Sequence, residues 1–295
     1  EDSDLMRYAD NLHIANMPED GVVVIEDGIT EIRDRALKGL KELTSITIPD
    51  SVTSIGAEAF WDCINLTSVT IGNGVTSIGR YAFCYCINLT SVTIGNGVTS
   101  IGDQAFDGCS GLMDVYYEGD LSGWSEIEFD WCANPTYYAD NLYINGKLLQ
   151  GDIVIPEGTE KIGAFAFYNC SGLTSITIPD SAISIGGRAF YECSGLISVT
   201  IGNGVTSIGS YAFDGCSGLT SVTIGNGVTS IGTNAFDGCS GLTDVFYQGD
   251  VNSWLKIDME NPDPMAYADN LHIADIPEDG VVVIEDGITE IRDYA

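Results

Sequence analysis

The sequence predicts a repeat solenoid that is mainly β, with one long parallel sheet of about eleven short strands and short helical or irregular turns on the opposite side. The string LTSVTIGNGVTSIG at positions 66–79 returns at 89–102 and again from position 219. One such repeat cannot bury its own apolar face, so it must stack on its neighbours. The repeat has a period of 23 residues, which an Ala-Phe pair marks within two groups, at Phe60, Phe83 and Phe106 and at Phe167, Phe190, Phe213 and Phe236.

Each repeat contains a strand, a tight turn and an irregular half. Val69 and Ile71 alternate with polar residues, which predicts a short strand with one buried face. The Gly-Asn-Gly at residues 72–74 predicts a turn whose residues tolerate a positive φ. The second half, DQAFDGC at residues 103–109, is too short for more than a turn or two of helix, so its apolar residues fill the interior.

Eleven strands follow from the residue that precedes each turn, and at the usual strand spacing they form a sheet on the order of 50 Å long. These residues are Ile25, Ile48, Ile71, Ile94, Tyr117, Ile155, Ile178, Ile201, Ile224, Tyr247 and Ile284.

The chain divides into repeat cycles, predicted as 1–132 for the first, 153–262 for the second and 263–295 for the start of a truncated third. Residues 133–152 form an insertion, in which Asn145-Gly146 predicts a hairpin with a type I′ turn. Phe129 and Cys132 fall one full period after Phe106 and Cys109, so we expect the phase to survive and the solenoid to continue through both insertions.

Composition limits the possible partners. Eleven Lys and Arg against 43 Asp and Glu give a net charge of −32, which disfavours nucleic acid and anionic membranes. No apolar run approaches the roughly 18 residues that span a bilayer, so we expect no membrane insertion in this fragment. The opening EDSDLMR lacks the features of a signal peptide, and residues 8–34 recur almost unchanged at 267–293. We interpret the chain as a piece of a longer protein.

No catalytic, cofactor or metal site is predicted. His13 and His272 occupy the same position of duplicated blocks where Tyr143 stands in a third version, so surface filling is the preferred interpretation. The Gly74–Gly79 spacing resembles a phosphate loop but lacks the lysine that such a loop needs. The acidic pairs are interpreted as a solvated edge, with calcium binding as the alternative; they are Glu19-Asp20, Glu26-Asp27, Glu278-Asp279 and Glu285-Asp286.

Seven of the nine cysteines share one core phase with Leu40, which predicts buried, inert thiols without disulfides. Cys84 lies in a phase of mixed residues that is typical of a partly exposed position, so we expect it to be reactive, and Cys132 borders the insertion. Asn65 and Asn88 match a glycosylation acceptor, which we attribute to the Thr-rich repeat. The seven cysteines that share the core phase are Cys63, Cys86, Cys109, Cys170, Cys193, Cys216 and Cys239.

The outward face of the sheet is predicted to carry a uniform threonine ladder that cross-strand pairing alone would explain. Larger side chains interrupt it near each insertion. One interpretation is that the inserted YADNL segment folds over these apolar patches; the other is that they are ligand-contact sites, and we prefer the first. The candidate contacts are Tyr116 with Val154 beside the coil of Trp124, and Phe246 with Val283 beside the coil of Trp254.

The pattern L-x-x-V-x-I combined with I-G-x-x-A-F-x-x-C-x-x-L, repeated at this fixed period, resembles the BspA-type leucine-rich repeat family of bacterial proteins. One departure from the broader leucine-rich pattern is Gly74, which stands where Asn or Cys usually closes the strand. The resemblance implies a secreted or cell-surface protein used in adhesion.

The function expected from this resemblance is a non-enzymatic, monomeric, extracellular module that presents a rigid repeat surface to host or matrix proteins or glycans. The alternative is a structural stalk that spaces another domain from the cell. A third possibility is binding of ice or mineral through the threonine ladder, which the curvature of such solenoids disfavours.

Overall fold

The computed structural model describes residues 18–260 and 264–276 and contains two compact units, 1–148 and 149–295. In each unit short strands stack in parallel and form two sheets, which we call the long sheet and the short sheet. The predicted solenoid is confirmed, with the strands distributed over a separate long sheet in each unit. The cycle boundaries and the continuity through residues 133–152 stay predictions.

In unit 1, consecutive repeats pair at a constant offset, for example Ser45 with Ser68 and Ser54 with Ser77. The long sheet contains β1 (Val22–Val24), β3 (Ser45–Ile48), β5 (Ser68–Ile71), β7 (Ser91–Ile94), β9 (Asp114–Tyr117), β11 (Asn141–Ile144) and the antiparallel β12 (Lys147–Leu148). The short sheet contains β2 (Glu31–Ile32), β4 (Ser54–Ile55), β6 (Ser77–Ile78), β8 (Ser100–Ile101) and β10 (Glu128–Phe129).

Unit 2 has the same two-sheet arrangement. Its long sheet contains β13 (Gly151–Val154), β15 (Leu173–Ile178), β17 (Ser198–Ile201), β19 (Ser221–Ile224), β21 (Asp244–Asp250) and β23 (Asn270–Asp275). Its short sheet contains β14 (Lys161–Ile162), β16 (Ser184–Ile185), β18 (Ser207–Ile208), β20 (Ser230–Ile231) and β22 (Asp258–Met259). The strand predicted at Ile284 lies outside the described residues.

One coil in each unit is longer than the others, and it contains the only α-helices among the described residues, α1 (Leu121–Glu126) and α2 (Val251–Lys256). Asp120 caps α1 through a hydrogen bond from the backbone N–H of Gly123. Phe129 consequently pairs with Ile101 and does not continue the phase of Phe106. The prediction that the phase survives here is wrong, because the helix lengthens the path of the chain between the two strands.

The hairpin at residues 141–148 has the predicted turn, with Asn145 and Gly146 at φ of 48° and 72°. Its first strand is not part of an insertion, however. It pairs in parallel with β9 and extends the long sheet, as β23 does against β21 in unit 2.

The core is a set of rows, each built from one position of the repeat. The phenylalanine rings of neighbouring coils stack, with centroids 4.9 Å apart for Phe60 and Phe83 and 5.2 Å for Phe83 and Phe106. Cysteine and leucine rows lie beside them and are almost fully buried. In the turn half, residues such as Glu58 and Tyr81 have positive φ and donate their N–H groups to the next coil, which is why this half is not helical.

The turn glycines serve close packing, not left-handed geometry. Neither Gly72 nor Gly74 lies among the glycines with positive φ, which corrects the expectation for residues 72–74. A Cβ atom on Gly74 would lie against the backbone oxygen of Asp50 in the preceding coil. Glycine is therefore required where consecutive coils touch through their backbones.

Six of the seven cysteines of the core row are buried, whereas Cys170 is partly exposed. Cys170 lies in the first coil of unit 2. The prediction that Cys84 is partly exposed is wrong, since only 1% of its surface is accessible. Burial raises its pKa to about 12. Tyr81 and Tyr85, which lie close to Cys84 in the sequence, both pack their rings against Trp61 of the preceding coil.

We expect Gly74→Ala to lower the free energy of unfolding by about 2–4 kcal/mol, because the added methyl group must displace backbone. Urea titration measures the change. The matched control is Gly172→Ala, where the nearest atom to the new Cβ is a side-chain carbon at 3.4 Å and the change should stay within about 0.5 kcal/mol. Equal losses in the two variants would contradict the packing role.

A thiol reagent should label Cys132 of the native protein first and Cys170 slowly, because Cys170 is partly exposed but burial raises its pKa to about 12. The other seven cysteines, Cys84 included, should stay unreacted until denaturant is added. Burial removes both access and thiolate character. Mass spectrometry of labelled peptides identifies the sites. Native labelling of Cys84 within the same time as Cys132 would show that the aromatic side chains do not cover it.

Candidate functional site

The outward face of the long sheet in unit 1 ends in a pair of aromatic rings. Tyr116 on β9 is in register with Tyr143 on β11, and their rings stack with centroids 4.6 Å apart and planes at 15°. Next to them the amide of Asn141 donates a 2.9 Å hydrogen bond to Asp114. We call these four residues the aromatic site of unit 1.

Unit 2 has the same arrangement at the equivalent strands, β21 and β23. Phe246 stacks on His272 with centroids 4.4 Å apart and planes at 12°. Asn270 Nδ2 donates to Asp244 Oδ1 at 3.3 Å, and His272 Nε2 lies 2.8 Å from the same oxygen. The hydrogen bond with His272 lowers the pKa of Asp244, so this carboxylate stays charged. These four residues are the aromatic site of unit 2.

The YADNL segment builds the sites and does not cover them, contrary to the preferred prediction. Asn141 and Leu142 begin β11, and Tyr138 is held on the turn side, where its hydroxyl donates to Asp107 Oδ1 at 2.7 Å. Tyr267 bonds Asp237 in the same way in unit 2. The segment is anchored to the preceding coil, which leaves the aromatic rings partly exposed.

The other candidate contacts are not part of these sites. Trp124 and Trp254 are 0% and 1% exposed and pack against Tyr117 and Tyr247, so neither ring can meet a ligand at the surface. Their prediction as contacts is corrected by this burial, which arises because each lies on the inner side of its short helix. Val154 is 68% exposed on the first strand of unit 2.

Val283 lies outside the described residues, as does His13. The contact roles of Tyr116, Phe246, Val154 and Val283 stay predictions.

Threonines of the described repeats fall into two kinds. Directly before the strands of the long and short sheets, hydroxyls such as those of Thr67 and Thr76 donate to the carbonyl one coil earlier, at 2.9 and 3.1 Å. On the sheet face, the threonine hydroxyls have no hydrogen-bond partner among the described residues. The face residues are Thr47, Thr70 and Thr93 in unit 1 and Thr177, Thr200 and Thr223 in unit 2.

Other polar candidates have structural roles. The amides of Asn65 and Asn88 donate to the carbonyls of Lys41 and Ile64 in the preceding coil, so these asparagines belong to an inter-coil ladder. Among the described residues no group of three or more acidic, histidine or cysteine side chains is placed to hold a metal ion. No helix in that part of the chain is long and apolar enough to cross a bilayer.

Sequence reasoning found Tyr116 and Phe246 but missed the carboxylates, the amides and the stacking partners. Asn141 lies further along the chain from Asp114 than one repeat period, and so does Asn270 from Asp244, so the fixed period points to the wrong residue. The recurring YADNL motif was the signal available, since it places an asparagine shortly before Tyr143 and before His272.

The tightest charged cluster lies on the turn side of unit 1. Glu58 is 7% exposed and accepts hydrogen bonds from Arg35 at 2.7 and 3.0 Å and from Lys38 at 2.7 Å. The bonds from Arg35, with those of Lys38, lower the pKa of Glu58 to about 2 against the opposing effect of burial. Lys38 also lies 4.3 Å from the centre of the Trp61 ring. The cluster ties two coils together.

Glu58→Gln should lower the free energy of unfolding by about 1–3 kcal/mol at pH 7, because two cations lose their carboxylate. The folded pKa is depressed, so the stabilisation is present above the unfolded value near 4.5 and is lost as the pH falls towards 2. Urea titrations between pH 7 and pH 2.5 should therefore show the variant converging on the parent protein. Exposed Glu118→Gln is the control, and a constant difference for Glu58→Gln at all pH values would refute the linkage.

Comparison with known proteins agrees with the repeat pattern. The sequence profile of the BspA type leucine rich repeat region, in six copies, matches residues 21–136 and 140–256. A search of curated protein sequences gives no match.

Similar solved structures include a leucine rich cell surface protein from Faecalibacterium prausnitzii, with 24% identity, 82% of this chain and 91% of that chain covered and a TM-score of 0.35. They also include a leucine-rich repeat protein from Eubacterium ventriosum, with 22% identity, coverages of 83% and 81% and a TM-score of 0.45. The pneumococcal vaccine antigen PcpA has 21% identity, coverages of 84% and 72% and a TM-score of 0.49. On the extent of the profile match, the chain belongs to the BspA-type leucine-rich repeat family.

Proposed function

We propose that the chain is a binding module of the bacterial cell surface, which uses the faces of its long sheets to hold protein or glycan ligands of a host cell or its matrix. The observation that carries this proposal is the recurrence of one arrangement in both units. A carboxylate, an aromatic ring, an amide and a second ring occupy matching strand positions, although the rings themselves differ. Stability alone explains this arrangement poorly, since Thr occupies the strand position of the first ring in most of the other coils.

The polar groups favour binding over catalysis. In unit 2 a histidine, an aspartate and a hydroxyl lie together, but Thr243 donates its hydroxyl hydrogen bond to Asp244 and not to His272. A nucleophile needs the base itself as its acceptor. Unit 1 carries Met113 and Tyr143 at the corresponding positions. Neither aromatic site assembles a nucleophile with a base, and the chain is proposed to be non-enzymatic, extracellular and monomeric.

Two copies of one site on one chain also favour multivalent attachment. Each contact is small, and linking two of them raises the overall affinity without new contacts. This suits a protein that must adhere to a surface with repeated ligands.

Tyr116→Thr and Phe246→Thr test the proposal. Each single variant should weaken adhesion of the labelled protein to host cells and matrix about 3–10-fold, and the double variant about 100-fold, because avidity is lost. The free energy of unfolding, measured by thermal denaturation, should change by no more than about 1 kcal/mol, since Thr is the residue at the same strand position in the preceding coil.

The control is Tyr85→Thr, which removes a ring that is 47% exposed on the turn side and should leave adhesion unchanged. Undiminished adhesion of the double variant would refute the aromatic sites. It would favour the alternative, a structural stalk whose ligand-binding part lies elsewhere.

A further inference from the structure

We infer that the aromatic sites bind neutral glycans. A sugar ring would pack against the uncovered face of Tyr116 or Phe246 and above the neighbouring threonines of the same long sheet; we call this step in the surface the ledge. This inference rests on the proposed function and names the ligand class of the same two sites.

The ledge follows from strand register. Tyr116 is in register with Thr93 on one side and with Tyr143 on the other. One face of the Tyr116 ring is covered by Tyr143 at 4.6 Å. The opposite face borders the short side chain of Thr93, one strand spacing of about 4.8 Å away. A tyrosine beside a threonine makes a step in an otherwise level surface.

Unit 2 repeats the step with different residues. Phe246 is in register with Thr223, and its other face is covered by His272. Thr93 and Thr223 occupy the same strand position, as do Asp114 and Asp244 at the side of each step. The ledge therefore does not depend on the tyrosine hydroxyl, because Phe246 forms the same wall without one.

The floor and side of each ledge carry polar groups that suit sugar hydroxyls. Thr70 and Thr93 have hydroxyls without a hydrogen-bond partner among the described residues, unlike Thr67, which donates to Thr44. Asp114 adds a carboxylate acceptor whose Oδ1 already holds the Asn141 amide in place. A hexose has an apolar face of C–H groups that packs on an aromatic ring and a rim of hydroxyls that donate to carboxylates and pair with other hydroxyls.

Charge excludes the acidic glycans. None of the residues that form the ledges is a lysine or arginine, and each ledge carries an aspartate. The hydrogen bond from His272 keeps the pKa of Asp244 low, so its charge persists at neutral pH. With a chain charge of −32, sulfated, sialylated or phosphorylated ligands would be repelled.

A protein partner fits these ledges less well. Protein interfaces depend on an apolar, fully desolvated centre with neighbouring anchors. Each ledge offers one open ring face surrounded by hydroxyls and a carboxylate, which is a wet surface with little apolar area.

Affinity electrophoresis of the intact chain in gels that contain soluble neutral glucans, mannans or galactans, with α and β linkages represented, tests the inference. At least one polysaccharide should retard the protein, and retardation should persist at about 0.5 M salt because the ligand is uncharged. Tyr116→Thr with Phe246→Thr should abolish it, each single variant should weaken it about 3–10-fold, and Tyr85→Thr should leave it unchanged.

Asp114→Asn with Asp244→Asn should weaken retardation of the folded protein. Because both carboxylates accept hydrogen bonds within the fold, the thermal midpoint is measured alongside and must stay well above the temperature of the gel. Heparin and hyaluronate in the gel should not retard the protein.

The experiments distinguish failure of the inference from failure of the proposed function. Adhesion to cells that needs both aromatic sites but survives periodate oxidation of the surface glycans, together with no retardation by any neutral polysaccharide, would show that the sites bind protein. Retardation that the double variant retains would place glycan binding elsewhere and overturn the inference. If the parent protein neither adheres to cells nor is retarded by any neutral polysaccharide, the inference and the proposed function are both refuted.

Discussion

Direct hydrogen bonding between the backbones of consecutive coils is the constraint on which the rest of this structure depends. The long and short sheets bond each coil to the next, and so do the turns, where Thr53 donates to Thr30 and Phe60 to Ala82. Such bonding requires every coil to follow the same path at a separation of about 4.8 Å. Glycine at the contact points, rows of identical core residues and stacked phenylalanines are all consequences of that repeated path.

The aromatic sites arise where this constraint is relaxed. Helix α1 lengthens one coil, so β11 reaches the sheet with a sequence that the repeat does not dictate. Asn141 and Tyr143 can then differ from the Ser and Thr of the repeat while the backbone ladder to β9 is kept. The same holds for Asn270 and His272 in unit 2. Apart from Val24 and Val154 on the first strands, side chains other than Thr at this position of the sheet face are found at the long coil and the strand that follows its helix.

The constant repeat length of the sequence is enough to predict the solenoid, the strands and the buried rows that contain Phe83 and Cys86. When every coil has the same number of residues, equivalent residues of successive coils lie above one another. Prediction from the repeat length failed where path length or side-chain size changes. Phe129 was placed in the wrong phase because the helix was not recognised, and Cys84 was predicted to be exposed because its row is mixed. Neither the Tyr116–Tyr143 stack nor the coverage of Cys84 is visible until the neighbouring coil is known.

The hairpin turn at Asn145-Gly146 has a consequence for propagation of the long sheet in unit 1. It returns the chain as a strand of only two residues, Lys147–Leu148, that runs against the direction of the strands paired in parallel before it. An open parallel edge is a template on which a foreign strand can grow into a fibril. A short, reversed strand bearing a lysine offers few bonding groups and the wrong polarity for such growth. The hairpin thus ends the parallel pairing of this long sheet with a short strand of the opposite direction.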